Sequence, residues 1–497
     1  DPLNRTIADS TPGSGTVRFR YDKAGRLRFR ISPVGDSVSM EYDLLGRLIR
    51  RVDPGRTYSA VACTAVDTTS GLACDYTLPK SGTALAVAVD TTVMSYTVAG
   101  HLFRIDNRFA RIRRVFNPNG SIAIDSSLVR TVDSASSGST ETIDGLPSPG
   151  VSSDFTLHRY VLQSAYDLNG RRRTLRYPAF MTSCGTNCQR DSLSFDGDGR
   201  LTRIVDGRGG AYQFFSNAAG DVDSVSYPDG TKVRQQFNAD GQILAHRVSG
   251  STFIGDSAWY DWAGRVAGSQ ELTDPFGTTS YTYSGLGALV AMTYASSTSG
   301  EKRSEEFRAD GIGQRFWART YDEATGDGAR TQTTVMDAVG RARRTTSHVE
   351  RKYSYFADGA TRVINIPAGA SLRSEQQAFF YNADGRVRFV QRRQATAYSE
   401  LFESNRIVID SGPARWVEEE HRYDGTGRRV LTRAQITGTC VSIGCESTIQ
   451  RFVWDGEQLV AETRGRGASG TSVTRERRKW HPRDVRSGVV YAGWWHR

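Results

Sequence analysis

One unit recurs through this chain and limits what it can fold into: an aromatic residue followed four positions later by glycine, of which thirteen copies are spaced along the 497 residues. At its sharpest it reads Tyr-Asp-x-x-Gly-Arg, as in Tyr21-Asp22-Lys23-Ala24-Gly25-Arg26 and Tyr42-Asp43-Leu44-Leu45-Gly46-Arg47. The same hexamer runs from Tyr166 through Gly170 to Arg171, from Tyr260 through Gly264 to Arg265, and from Tyr423 through Gly427 to Arg428. Looser copies start at Tyr96, Phe116, Phe195, Phe237, Tyr283, Phe307, Tyr355 and Tyr381, the last with its glycine at Gly385. Tyr21 to Tyr42 is 21 residues, and Phe237 to Tyr260 and Tyr260 to Tyr283 are 23 each. Tyr381 to Tyr423 is 42, which reads as two periods with one degenerate copy between them. A period of this size indicates a repeat architecture.

Each unit reads as a β-hairpin. Asp or Asn after the aromatic accepts hydrogen bonds from backbone amides just ahead of it, and glycine takes the positive φ of a tight turn. The flanks alternate: Leu27, Phe29 and Ile31 fall on one face, and Arg26, Arg28 and Arg30 on the other. Val387 and Phe389 against Arg386 and Arg388 repeat the pattern, which predicts one packed and one solvated face. A lone hairpin is marginal in water, so the copies are expected to pair into one long antiparallel sheet. The tyrosines are then packing residues at strand ends. The arginines after the glycines reach backbone carbonyls, or acidic groups on adjacent turns. The expected fold is all-β, a spiral of hairpins running over 1–497 as one region, with 54–95 and 126–156 as insertions or outer loops. Shorter interruptions fall at 295–304 and 465–473.

Composition agrees with this reading. Fifty glycines, 14 prolines and 42 Tyr plus Phe suit a turn-rich β protein. The formal charge is +10, yet only six of the 64 basic residues are lysine. The arginines follow the repeat rather than forming a block, so nucleic acid is not expected as a partner. The most apolar stretch, Ala84 to Val98, is interrupted by Asp90 and is too short for a spanning helix. Six cysteines fall into three close pairs, Cys63 with Cys74, Cys184 with Cys188 and Cys440 with Cys445, each in a segment that breaks the rhythm. The pairing predicts three local disulfides and an oxidising, extracytoplasmic location; the alternative is six free thiols.

Chemistry-bearing patterns are weak. Asp196-Gly197-Asp198-Gly199 superficially matches a calcium loop, but Gly207 stands where the bidentate glutamate belongs. The seven histidines are scattered, and Gly285-Leu286-Gly287 and Gly311-Ile312-Gly313 lack the spacing and lysine of a phosphate loop. No catalytic, metal or cofactor residue is assigned. Asp274-Pro275-Phe276-Gly277 is likewise given no role.

The Tyr-Asp-x-x-Gly-Arg units resemble the YD repeats of bacterial Rhs proteins, toxin-complex C components and teneurins, from about Phe19 to about Trp454. Arg451 to Glu462 also resembles the stretch approaching the end of bacterial Rhs cores. The resemblance implies a hollow β-shell that encloses or presents a C-terminal toxin domain, secreted or at the cell surface. It also implies that the 497 residues are part of a longer protein. Two other readings stand beside it: an adhesion or glycan-binding protein, and an enzyme whose site lies in 54–95 or 126–156.

Overall fold

A computed structural model describes residues 1–59, 61–62, 77–78, 84–132, 142–143, 146–147, 155–178, 190–207, 209–250, 254–272, 277–297, 301–311, 313–322, 330–347, 350–366, 375–394, 415–437, 448–466 and 472–477. Among these residues there is no helix. Strand after strand pairs antiparallel with the next in sequence, and 34 strands share one sheet. Hairpin follows hairpin because each turn is encoded locally and each strand finds its partner a few residues away.

The turn chemistry is uniform. In eighteen described turns the residue after the strand, Asp22 for example, both donates its N–H to the carbonyl four positions on and accepts at its own carbonyl from the glycine N–H. Gly264 shows why glycine is needed: its φ is +76°, in the left-handed region that side chains with a Cβ avoid. At Tyr21, Tyr42, Tyr260, Tyr381 and Tyr423 the strand register slips by one residue, the bulge that accompanies a three-residue hairpin loop.

Because the chain is a meander, alternate connections lie at opposite strand ends. One end, the repeat rim, carries four-residue turns that end in glycine: 22–25, 43–46, 97–100 and 117–120, then 167–170 and its successors, then 356–359, 382–385 and 424–427. The other, the return rim, carries connections of variable length. Leu48–Asp53 pairs directly with Asp90–Tyr96, and Val387–Gln394 with Arg415–Tyr423, across long return connections. The 42-residue gap between Tyr381 and Tyr423 is therefore one long return connection and not a lost repeat. The copy expected at Phe307 is also displaced: the turn glycine is Gly313, and Ala309 takes the aromatic's place. Ser216 and Met336 likewise precede repeat turns without an aromatic. At Asp206–Gly209 and Tyr227–Gly230 the same turn chemistry serves the return rim.

Asp90–Tyr96 belongs to the main sheet although it falls in the 54–95 stretch, and Ile122–Val132 runs into 126–156. Arg56–Tyr58 pairs with Leu85–Val87 in a small ribbon of its own. All six cysteines lie outside the described residues.

The chain forms two compact units. The first comprises 1–161, 336–344 and 349–479, and its core includes Tyr58, Val87, Val363, Ala378 and Phe380. The second comprises 162–335, 345–348 and 480–497, with Ile204, Tyr212 and Phe214 buried together.

Candidate functional site: the turn ladder and the layer seam

The Asp and Arg of the hexamer form a clamp within their own turn. Asp22 Oδ1 accepts the Arg26 amide at 2.9 Å while Oδ2 accepts Arg26 Nε at 2.7 Å. The pair repeats at Asp43–Arg47, Asp167–Arg171, Asp261–Arg265 and Asp424–Arg428, with these bonds between 2.7 and 3.0 Å. The Arg26 amide, opposed by burial and joined by the guanidinium, holds the Asp22 carboxyl below the usual carboxylate range. The arginine therefore meets the acid of its own turn, whereas the sequence left the adjacent turn as an option.

Its guanidinium then reaches forward. Arg26 Nη1 donates to the Asp43 carbonyl at 2.9 Å and lies 5.0 Å from the Tyr42 ring centre. Arg47 covers Tyr96, Arg265 covers Tyr283 and Arg386 covers Tyr423, at 4.5–5.8 Å. The tyrosine hydroxyl reaches backward: Tyr42 to the Leu27 carbonyl at 2.8 Å, Tyr260 to Ile243 at 2.7 Å, and Tyr423 to Val387 at 2.9 Å. A repeat that carries both residues, such as the one at Tyr42, is thus tied to its neighbours along the rim. Tyr42, Tyr260 and Tyr423 each spend a hydroxyl on the preceding repeat.

In the first unit, residues some 300 positions apart meet. Turns of the repeat rim from 337–427 seat on the return rim of 1–130. Val339 lies against Gly13, whose carbonyl accepts Arg341 Nη1 at 2.6 Å. Asp358 pairs with Arg56 at 3.0 Å and Asp384 with Arg51 at 2.6 Å. Asn107 Nδ2 donates to the Tyr423 carbonyl at 2.8 Å. Gly425 fits only as glycine, since a Cβ there would stand 2.6 Å from Ile105 and Thr92. The Tyr58 hydroxyl donates to the Tyr381 carbonyl at 2.9 Å and accepts its N–H at 2.8 Å. Buried there, that hydroxyl is pushed up to about 12 by burial.

This seam is polar where the alternation predicted a wet face. Arg388 is buried, 7% exposed: it donates to the His421 carbonyl, lies 3.5 Å from Glu420 and sits 4.2 Å from the Phe109 ring centre. The expected solvent face of that strand is therefore wrong at Arg388, because a second layer covers it. Arg422 grips Glu420 through two bonds, 2.8 and 3.1 Å, and reaches the Arg130 carbonyl at 3.1 Å. Burial alone would raise the Glu420 carboxyl, but Arg422 and Arg388 hold it below its ordinary value. Burial, with help from Arg429 and Arg388, depresses His421 to about 4, so it is neutral near pH 7. Asp53 is raised to about 6 by burial, despite Arg51.

Sequence reasoning found the clamp residues and missed the seam: Arg51, Arg56, Tyr58, Asp358, Asp384, Glu420 and Arg422 carry no local signature. Among the described residues no cluster of three His, Cys, Asp or Glu could hold a metal ion.

No protein-family profile and no curated protein matches the chain. Solved structures of similar fold are toxin-complex assemblies. The crystal structure of TcdB2-TccC3 aligns over 96% of this chain and 24% of its own, at 11% identity and TM-score 0.56. The same complex without its hypervariable C-terminal region covers 95% and 23%, at 12% identity and TM-score 0.56. The Photorhabdus luminescens Tc holotoxin pore carrying TccC3-D651A covers 95% and 22%, at 12% identity and TM-score 0.56. The chain spans about a quarter of the length of these structures. At such identity the likeness shows the fold alone.

Proposed function

We propose that the chain is a non-catalytic wall segment of a secreted or surface-exposed bacterial container of the Rhs type, which encloses or presents a toxin domain of the same polypeptide. One observation carries the reading: almost the whole chain aligns with the TcdB2-TccC3 fold. The use made of the charged side chains supports it, since the hexamer arginines and aspartates are spent on clamping turns and joining repeats. Local disulfides at Cys63–Cys74, Cys184–Cys188 and Cys440–Cys445 belong to the same reading, as stiffeners of return connections; mass spectrometry of non-reduced peptides should recover all three links.

The test is to express the polypeptide from its own gene, image it by electron microscopy and challenge it with protease. A closed wall around density, with a downstream domain cut far more slowly than when freed, is the expected result. A flat sheet without a concave interior, or a downstream domain cut equally fast in both states, overturns enclosure.

A further inference from the structure

One turn of the repeat rim departs from the rest, and a cavity lies beside it. The described turns of that rim open on Asp, Asn, Thr or Ser, whereas 356–359 opens on Phe356. The position that holds the clamping arginine in the hexamer turns is here Ala360, so this turn has no clamp of its own. Its acid, Asp358, is taken by Arg56 at 3.0 Å. The next arginine along the strand, Arg362, is half-buried and lies 5.8 Å from the Phe356 ring centre. No carboxylate among the described residues stands within ion-pair distance of it. The cavity measures about 410 Å³ and is walled by Val34, Arg56, Tyr58, Phe356, Arg362 and Phe380, all of the first unit. The Tyr58 ring centre is 5.3 Å from that of Phe356 and 5.2 Å from that of Phe380, so one side is a continuous aromatic surface. Arg56 also reaches the Phe356 ring, at 5.6 Å, but Asp358 and Asp36 beside it offset its charge.

We propose that this cavity is a binding site for a small aromatic carboxylate, its ring against Phe356 and Tyr58 and its carboxylate on the Arg362 guanidinium. The volume falls within the roughly 300–1,000 Å³ of small-molecule sites, which pair apolar walls with a few polar groups that fix orientation. A planar guanidinium presents the donor fork that matches a carboxylate, and aromatic edges and faces pack on one another at the spacing these rings already keep. One uncommitted cation calls for one negative charge. A phosphate would bring a second charge toward Asp36, which also lines the cavity. The site depends on the cavity alone and stands whether or not the repeat encloses a toxin.

Titration with 3-phenylpropionate tests it, with the polypeptide expressed from its own gene and binding followed by ligand-observed NMR. The expected result is saturable binding, and binding of 3-phenylpropanamide, which has the same shape without the charge, weaker by about tenfold. Arg362→Gln should weaken the acid by about the same factor and remove the difference between acid and amide. Val34→Trp, on an exposed tip at the edge of the cavity, should block both ligands by filling the space, and it keeps the test sound if Arg362→Gln loosens the seam. Hydrogen exchange at the Tyr381 amide reports that the seam is intact in each variant. No saturable binding up to about 10 mM overturns the proposal. So does equal affinity for acid and amide, or acid binding that survives both substitutions with the seam intact.

Discussion

Replacing Tyr58 by phenylalanine removes one oxygen and should open the seam locally. That hydroxyl is the hydrogen-bond partner of both backbone groups of Tyr381, at 2.8 and 2.9 Å, where the strand register slips and the side chain is 7% exposed. Phenylalanine fills the same space, so no cavity term enters. Each of the two backbone groups left buried without a partner costs about 1.5–2 kcal/mol, in the middle of the usual range, offset by roughly 1 kcal/mol because the hydroxyl no longer has to be desolvated. The net loss should be about 2–3 kcal/mol. Tyr21→Phe is the control. Its hydroxyl meets the Thr6 carbonyl at 2.7 Å in an exposed place, where water takes over and the loss should stay within about 0.5 kcal/mol. A chain of this size is not expected to unfold in two states, so native-state hydrogen exchange is the assay. Protection of the Tyr381 amide and its neighbours should fall on the order of 30- to 150-fold in Tyr58→Phe. It should be unchanged in Tyr21→Phe. Equal, small effects in both variants would refute the assignment of the hydroxyl as a bond between layers.

Gly264→Val should cost about 1–3 kcal/mol through a β-branched residue at positive φ. The nearest obstacle to its Cβ is the flexible end of Gln242 at 3.2 Å, so strain and not collision sets the cost, and raised exchange should concentrate in the hairpins beside 261–264. Gly425→Leu should cost about 1–3 kcal/mol by driving a side chain into Ile105 and Thr92. Leu168→Ser, at the corresponding exposed tip, should change stability by less than about 0.5 kcal/mol; thermal unfolding that ranks the two the other way would sink the seam assignment. His421 binds its proton more weakly folded, near pH 4, than unfolded, near 6.5, so its stabilisation is complete above about pH 6.5 and is lost as pH falls toward 4. His421→Gln should flatten that part of the stability profile by about 3 kcal/mol. Asp53 acts oppositely: raised to about 6, it loses stabilisation as pH climbs from 4 to 6, and Asp53→Asn should remove that loss.

What could be read in the sequence was what the chain encodes within a few residues. Asp22 and Gly25 specify their turn without outside help, and the alternation of Leu27, Phe29 and Ile31 specifies a strand. The aromatic was the weaker half of the signal. Asn217–Gly220, Asp310–Gly313 and Asp337–Gly340 make the same turn with Ser216, Ala309 and Met336 ahead of it, because the turn is closed by backbone bonds and by the glycine's positive φ. Tyrosine adds a bond to the preceding repeat, which one repeat can omit. The seam was illegible for a different reason. Nothing near Arg51 distinguishes it from other strand arginines, and its partner Asp384 is 333 positions away. Arg388 looked solvated because period two describes one sheet and carries no information about a second layer laid over it.

The seam also explains how the repeat tolerates long return connections where two layers meet. Tyr58 stands at the root of the longest such connection, and its ribbon partner strand, Leu85–Val87, brings Val87 into the same cluster as Val363, Ala378 and Phe380. The root is thus core, fixed by packing and by the Tyr381 bonds. Arg56 completes the anchor by pairing with Asp358 above it and approaching Asp36 at 3.6 Å within its own layer. An insertion placed outside this ribbon adds only a slowly growing loop-closure cost, while one placed in a repeat turn would break the clamp and both of its links along the rim. From 22 to 427 the repeat rim is therefore uniform in turn length, and the return rim is where the chain can vary without losing the sheet.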